Sequence, residues 1–362
     1  MTMKKVLLIG LIGLIALLLN SCIPNTPINT DYETNFEALW KIIDERYCFL
    51  DEKQVNWDQV HEEYAKRLRS QQYNDVTFFY LMDEMLNELK DGHVNLYSDF
   101  DIGSYHKLVP DPTTGLNVYA RSRHIKGRLN ISGGMRYGIL ADKDRDITIG
   151  YISYGSFSNS LGNMSLILTL FEETNGVIID VRGNGGGLVD NANRLASYFY
   201  KDKKLVGYTV YKTGPGHSDF SNPRAQYISP NKQKTFTTHP VIVLQDRSSF
   251  SATNDFLYKI ALADNVIRIG EISGGGTGMP ATSELPNGWR VRYSAVKSYD
   301  KDMNQLEGGF APDIEVHNDS YYEKPDAKDR ILVAAVEKIF KLREKKQKNN
   351  GEESAKDGGG DR

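Results

Sequence analysis

Four short segments of this sequence carry side chains that could perform hydrolysis together, and the first of them contains a serine. Ser251 lies in Ser248-Ser-Phe-Ser-Ala-Thr-Asn-Asp255, between a predicted strand and a predicted helix. Unpaired N–H groups near a helix N-terminus stabilise negative charge, which suits an alkoxide and the oxyanion that it creates. Serine is also an ordinary residue at the start of a helix, and the segment taken alone favours that structural role.

The second segment is a glycine-rich turn, Asp180-Val-Arg-Gly-Asn-Gly-Gly-Gly187, which follows another predicted strand. Three consecutive glycines allow positive φ angles and can direct backbone N–H groups into a cavity. The turn is therefore either an oxyanion hole or merely flexible, and its composition does not decide between them. A phosphate-binding loop is excluded, because no Gly-Lys-Ser/Thr follows and the dinucleotide-binding spacing is absent.

The third and fourth segments supply a base and a carboxylate. His93, in Leu89-Lys-Asp-Gly-His-Val94, follows a predicted helix and could enter a cleft as a general base. A single histidine more often has no catalytic role. Glu307, in Leu306-Glu-Gly-Gly-Phe-Ala-Pro-Asp-Ile314, could orient such a base or could be a solvated loop carboxylate.

The elements that must position these segments are of two kinds. Residues 31–90 place apolar side chains at helical spacing and are predicted to form helices. Farther along, predicted strands alternate with helices, and the apolar runs 176–181, 241–244 and 266–270 are typical of strands buried on both faces. This alternation predicts an α/β core with a mainly parallel sheet, whose sites gather at the carboxyl ends of the strands.

Taken together and in this order, the four segments resemble the tail-specific, or C-terminal processing, serine peptidases, and more closely the branch typified by the tricorn protease core. The shared features are Asp-Gly-His, a strand ending in Asp-x-Arg-x-Asn-x-Gly-Gly, a Ser-Ala pair heading a helix, and a late Glu-Gly-x-x-x-Pro-Asp, over roughly residues 33–316. The resemblance implies an α/β fold (α+β overall). The expected fold has a ClpP/crotonase-like core with a mostly parallel sheet flanked by helices, and this core is preceded by a small N-terminal helical domain.

The resemblance also implies the role of each side chain. Ser251 is expected to be the nucleophile, with Ser248 and Ser249 as lower-ranked rivals. His93 would take the serine proton and pass it to the leaving amine. Glu307 would hold the imidazole in the required tautomer and stabilise the imidazolium.

The expected oxyanion hole combines the N–H group of Ala252 with that of Gly185 or Gly186. Many members of the family use a Ser-Lys dyad instead of a histidine. The matching stretch here, 270–278, holds no lysine, and Lys297 is interpreted as a surface or strand-end charge. Because an unassisted serine is a poor nucleophile, the histidine and glutamate become necessary.

The beginning of the sequence predicts export. Lys4 and Lys5 precede the aliphatic run 6–19, which ends in Leu18-Leu-Asn-Ser-Cys22. This pattern resembles a bacterial lipoprotein signal, with cleavage before Cys22 and lipidation of its thiol. An ordinary secretory signal with a coincidental cysteine is the alternative. We therefore expect a membrane-anchored lipoprotein on the periplasmic face or the cell surface.

The interval after the histidine is too short for a complete PDZ domain, which family members commonly carry there. A requirement for a free substrate C-terminus is therefore not implied. The predicted organisation is a signal peptide (1–21), a linker (22–32), an N-terminal helical domain (33–92), a strand- and turn-rich connector without a full PDZ domain (93–146), the peptidase core (147–320), a C-terminal helix (321–340) and a disordered tail (341–362).

The amino-acid composition of the chain restricts the classes of partner and cofactor that we expect it to bind. The net charge of −3 and the lack of a basic stripe argue against nucleic acid. Cys48 has no partner once Cys22 carries lipid, so a buried structural thiol is expected. No metal or cofactor is implied, because the sequence has no His-Glu-x-x-His motif and no cysteine–histidine cluster.

The predicted function is a serine-type peptidase that cleaves peptides or unfolded proteins in the cell envelope. One alternative is a non-catalytic ligand- or peptide-binding protein on the same fold. Retention of a serine, a histidine and a glutamate together argues against it. Another alternative is a serine esterase or amidase, which would use the same groups.

Overall fold

The computed structural model describes residues 29–105, 116, 118–125, 127–319 and 328–357. The predicted signal peptide and Cys22 lie outside these ranges. The helices are α1 (Tyr32–Arg46), α2 (Trp57–Ser70), α3 (Asp75–Asn87), α4 (Val118–His124), α5 (Met164–Leu170), α6 (Val189–Ser197), α7 (Ala252–Ile260) and α8 (Arg330–Asp357). The strands are β1 (Asn95–Tyr97), β2 (Ile102–Ser104), β3 (Asn130–Ser132), β4 (Met135–Asp142), β5 (Ile147–Tyr154), β6 (Val177–Asp180), β7 (Lys204–Tyr211), β8 (Arg224–Ile228), β9 (Val241–Gln245), β10 (Val266–Gly270), β11 (Met279–Glu284), β12 (Arg290–Tyr299) and β13 (Ile314–Glu315).

The larger of the two sheets formed by the described strands has seven strands, in the order β13-β10-β9-β6-β5-β4-β3. The pairings from β13 to β5 are parallel, and the two that add β4 and β3 are antiparallel. Val177 and Ile179 pack with α5, α6 and α7, whereas Ile178 packs with α8, because successive side chains of a strand alternate between faces. The predicted mostly parallel core flanked by helices is confirmed.

A second sheet was not anticipated from the sequence. Its six described strands are all antiparallel, in the order β2-β1-β12-β7-β8 with β11 also paired to β12. The pairing of Asn95 with Arg292 joins strands from opposite ends of the chain. A local pattern can predict a strand, but it does not identify so distant a partner.

The N-terminal helices share one hydrophobic core with this second sheet. Leu39 of α1 and Phe79 of α3 are buried in the same cluster as Leu96 and Val291. The boundary predicted at residue 92 therefore falls inside a continuous core. The segment that follows α3 is consequently fixed by packing against both the N-terminal helices and the second sheet. Similarly, the predicted connector 93–146 contributes β3 and β4 to the seven-stranded sheet.

Helix α8 is longer than predicted. It continues to Asp357, so the predicted disordered tail is wrong over residues 341–357, while 358–362 lie outside the described ranges. The lysine- and glutamate-rich composition of this segment has high helix propensity, and Glu337 and Lys341 form an i,i+4 pair at 2.7 Å at its start. Within the described part of the chain, no helix combines the length and apolar character that crossing a membrane requires.

Candidate active site

Ser251 occupies a strained turn between β9 and α7. Its φ of 58° and ψ of −122° place a non-glycine residue in a region that costs on the order of 1–3 kcal/mol. Its side chain makes no capping hydrogen bond to α7, so the role of ordinary helix cap is excluded. The side chain is partly exposed, while the Ser251 N–H donates to the carbonyl of Gly275 at 2.9 Å. A strained strand-to-helix turn of this kind presents a nucleophile above a sheet.

His93 meets this serine from the junction between α3 and β1. The distance from His93 Nε2 to Ser251 Oγ is 3.0 Å, and the imidazole centroid lies 4.8 Å from that of Phe250. Burial lowers the pKa of His93 to about 4, opposed by the negative charge of Asp91. The imidazole is therefore neutral near pH 7 and able to accept the serine proton.

Asp91 holds the histidine turn, a role that the sequence analysis missed. Its Oδ1 accepts the N–H of His93 at 2.8 Å, while Oδ2 accepts the hydroxyls of Tyr47 at 2.8 Å and Ser294 at 3.1 Å. These contacts tie the end of α1, the histidine turn and β12 together around one buried carboxylate. An aspartate that bonds the backbone two residues later is an Asx turn, and Asp-Gly-His was the signal that could have revealed it.

Glu307 does not contact the imidazole in the way expected. Its Oε2 accepts the N–H groups of Thr277 at 2.9 Å and Gly278 at 3.1 Å. His93 Nδ1 is buried and has no hydrogen-bond partner among the described residues. Burial, reinforced by the charge of Asp91, raises the pKa of Glu307 to about 8. Asp91 is thus the carboxylate bonded to the histidine segment.

The two candidate glycines of the oxyanion hole differ in their hydrogen bonds. The N–H of buried Gly186 donates to Asn184 Oδ1 at 2.9 Å, and Asn184 Nδ2 donates to the Tyr154 carbonyl at 2.8 Å. The N–H groups of exposed Gly185 and of Ala252 donate to no group in the described part of the chain. These two N–H groups therefore remain available to an oxyanion.

Gly186 instead allows close packing. Its φ is 102°, and a Cβ there would lie 2.7 Å from Ser251 Cβ and 3.0 Å from Ala252 N. Only glycine tolerates both this backbone conformation and this approach. The glycine-rich turn thus abuts the nucleophile.

Asp246 fastens the glycine-rich turn to the serine turn. Its carboxylate accepts the N–H of Gly183 at 3.0 and 3.1 Å and the N–H of Ser248 at 3.0 Å. Ser249 is fully buried and donates its hydroxyl to the carbonyl of Val181 at 3.0 Å. Ser249 is therefore structural, and neither it nor Ser248 has a hydrogen bond to His93 among the described residues. Asp246, like Asn184, was not singled out in the sequence.

The charged residues of the glycine-rich segment, Asp180 and Arg182, form buried ion pairs. The guanidinium of Arg182 is fully buried and pairs with Asp180 at 2.8 Å and with Asp329 at 2.7 Å. Asp329 also caps α8, through the N–H of Leu332 at 3.1 Å. These ion pairs connect the beginning of the glycine-rich turn to the start of α8 and therefore have a structural role.

Lys297 and Cys48 are both buried side chains. Lys297 is buried in β12, where it bonds Glu52 and lies 3.8 Å from the Phe220 ring centroid, so its interpretation as a surface charge was wrong. Cys48 is buried, as expected, and burial raises the pKa of its thiol. Among the described residues, no group of three or more His, Cys, Asp or Glu side chains could hold a metal ion.

Two protein-family models match this chain. The model of peptidase family S41 matches residues 148–316, and that of the tricorn protease C1 domain matches residues 28–87. Ser251 and Glu307 lie within the first match. His93 lies between the two.

Known proteins resemble the chain at several distances. The crystal structure of a putative peptidase from Parabacteroides merdae ATCC 43184 is 39% identical and covers 86% of this chain and 97% of its own, with a TM-score of 0.79. Mature CPAF complexed with lactacystin, at 11% identity and a TM-score of 0.64, covers 86% of this chain and 98% of its own and shares the fold. The carboxy-terminal processing protease CtpA of Bacillus subtilis (strain 168) is 24% identical over 185 residues, which are 50% of this chain and 38% of that protein. The chain thus spans well under half the length of this curated relative.

The family model covers the core of the chain, and the relative of 39% identity is aligned over nearly its whole length. Together these two matches establish the family. The chain belongs to peptidase family S41.

Proposed function

We propose that this protein is a serine-type peptidase that cleaves peptides or unfolded proteins, with Ser251 as nucleophile and His93 as general base. The observation that carries the proposal is the 3.0 Å contact between Ser251 Oγ and His93 Nε2 at a strained turn. A helix cap or a surface serine would have no need of either feature. The tricorn-like branch of the family is part of this proposal, supported by the match of residues 28–87.

In the proposed reaction, His93 Nε2 accepts the proton of Ser251 as Oγ attacks the peptide carbonyl. The resulting oxyanion is bound by the N–H groups of Ala252 and Gly185. His93 then gives its proton to the leaving amine, and a water molecule releases the acyl group by the same steps. The N–H of Gly186 stays with Asn184 and shapes the turn.

Two carboxylates share the third role in this scheme. Asp91 fixes the backbone of His93, and its negative charge favours the imidazolium formed during proton transfer. Glu307, the residue that the family resemblance assigns to this role, bonds the backbone of Thr277 and Gly278, and burial together with the charge of Asp91 raises the pKa of its carboxyl. We therefore propose that Asp91 supplies most of the charge stabilisation, while Glu307 contributes more as the pH rises.

We also propose that the protein acts at the cell envelope, anchored through lipid on Cys22. The basic and aliphatic residues that precede this cysteine support export. Metabolic labelling with palmitate should mark the wild type and not Cys22→Ala, whereas equal labelling of both would reject the anchor.

The activity is tested by comparing cleavage of casein and a peptide library with hydrolysis of an ester panel. The wild type should release peptides, Ser251→Ala should be inactive, and Ser248→Ala serves as the matched control at a neighbouring serine. Hydrolysis of esters without any peptide would favour the esterase alternative. Retained cleavage by Ser251→Ala would reject the assignment of the nucleophile.

A further inference from the structure

A cavity of about 280 Å³ lies beside the catalytic pair. Phe250, which precedes the nucleophile, and Gly92, which precedes the base, both line it, and the backbone of Gly274 and Gly276 forms another part of its wall. The size suits one or two substrate side chains. A peptide bound at Ser251 would therefore pass its opening.

Three cationic side chains line this cavity: Lys53, Lys90 and Arg247. Lys53 Nζ donates to the carbonyl of Lys90 at 3.0 Å, and Arg247 Nη1 donates to the carbonyl of Ser273 at 3.3 Å. None of the three cations forms an ion pair with a carboxylate among the described residues. Lys90 and Arg247 are exposed, so their charged groups can reach a ligand.

The carboxylates of the same cavity are already engaged. Glu52 pairs with buried Lys297, and Asp91 accepts three hydrogen bonds from its own surroundings. Glu307 accepts two backbone N–H groups, and burial raises the pKa of its carboxyl, which disfavours its charged form. The cavity therefore presents more positive than negative charge to anything that enters it.

Lys53 is electrostatically close to the reacting groups. Its charge acts to lower the pKa of His93 and of Glu307, both of which are shifted mainly by burial. A substrate anion placed among these cations would offset that positive field. Complementary charge between a binding site and its ligand contributes more to specificity than to binding affinity.

We propose that this cavity is a substrate subsite that binds a carboxylate of the peptide, held by Lys90, Arg247 and Lys53. The carboxylate belongs to an aspartate or glutamate side chain near the scissile bond. This inference rests on the peptidase function proposed above. It adds a chemical class of substrate that the catalytic pair does not determine.

The test uses matched fluorogenic peptides that differ at one position at a time, with glutamate or glutamine at each site near the scissile bond. A parallel pair ends in a free carboxylate or an amide. For the wild type, we expect the acidic member of one pair to be cleaved with a kcat/KM on the order of tenfold higher. The preference is expected in a glutamate/glutamine pair, and a preference confined to the pair that differs at its C-terminus would overturn the assignment to a side chain.

The variants Lys90→Gln and Arg247→Gln should each reduce this acidic-to-neutral ratio toward one, and Arg247→Glu should favour a lysine-containing peptide. The ratio is the readout because a general loss of activity cancels from it. Lys232→Gln, which removes an exposed lysine elsewhere, is the control and should keep the wild-type ratio. Cleavage with no acidic preference at any position, or a ratio unchanged in both cavity variants, overturns the subsite and leaves the peptidase function intact. Failure to cleave any peptide overturns both.

Discussion

Ser251 Oγ and His93 Nε2 lie 3.0 Å apart although 158 positions separate the two residues in the chain. The serine is presented by a parallel strand of the larger sheet, and the histidine by the junction between a helix and the second sheet. The pair therefore forms only when the two sheets are assembled against each other.

Backbone strain at Ser251 predicts a difference between two inactive variants. Both Ser251→Ala and Ser251→Gly remove the hydroxyl, but only glycine accepts φ 58° and ψ −122° without strain. Relief of on the order of 1–3 kcal/mol exceeds the extra unfolded-state entropy of glycine. Ser251→Gly should thus be more stable than Ser251→Ala by about 1 kcal/mol in urea unfolding. An alanine variant of equal or greater stability would show that the turn is unstrained.

Close packing at Gly186 predicts that a single methyl group disrupts the site. Gly186→Ala would place Cβ 2.7 Å from Ser251 Cβ and 2.8 Å from the Phe250 carbonyl, at a φ of 102°. We expect a loss of on the order of 1–3 kcal/mol in the free energy of unfolding, with a severe loss of cleavage.

The neighbouring glycine is the control for this substitution. A Cβ at Gly185 meets no atom of the described residues within 4 Å, so Gly185→Ala should shift the urea midpoint little. Equal destabilisation by the two alanines would contradict the packing argument.

The lowered pKa of His93 predicts the acid limb of the pH profile. The imidazole must be unprotonated to act as a base, so activity is present above its pKa and is lost as the pH falls through it. With a pKa of about 4, kcat/KM should remain near its plateau at pH 5.5 and fall with a midpoint well below the ordinary histidine value of about 6.5. Circular dichroism at each pH separates this loss from acid unfolding. A midpoint near 6.5 would mean that His93 is solvated in the active enzyme.

Asp91 and Glu307 can be ranked by matched amide substitutions. Asp91→Asn keeps an oxygen for the N–H of His93 but removes the charge that raises its pKa. It should lower kcat by about tenfold or more and move the acid limb to lower pH, because the imidazolium loses its partner charge. Glu307→Gln should have the smaller effect on kcat at pH 7, because that carboxyl bonds the backbone of Thr277 and Gly278 and not the imidazole, and its raised pKa disfavours the charged form.

A control addresses the structural role of Asp91. Ser294→Ala removes one of its hydrogen bonds without changing its charge, so this variant should leave the acid limb in place. A larger loss of kcat in Glu307→Gln than in Asp91→Asn would restore Glu307 as the main partner of the imidazole.

Buried apolar runs were sufficient to predict the parallel core, because they are local signals. The pairing of Ser251 with His93 was predicted only from the order of four motifs that resembles a known peptidase family, since neither residue taken alone favoured a catalytic role. The sequence did not predict the contacts of Glu307, whose carboxylate turns to the backbone of Thr277 and Gly278. The direction of a loop side chain depends on neighbours that are distant in the chain. The second sheet was missed for the same reason, since its strands find partners across nearly the whole sequence.

The assignment of Ser251 as the nucleophile is tested most directly by mass spectrometry of the intact protein after reaction with a fluorophosphonate, followed by mapping of the modified peptide. The wild type should gain one adduct, located on Ser251. Ser251→Ala should gain none, and His93→Ala should react about 10²–10⁴-fold more slowly because its general base is missing. An adduct on Ser248, or labelling of Ser251→Ala at the wild-type rate, would contradict the assignment of Ser251 as the nucleophile.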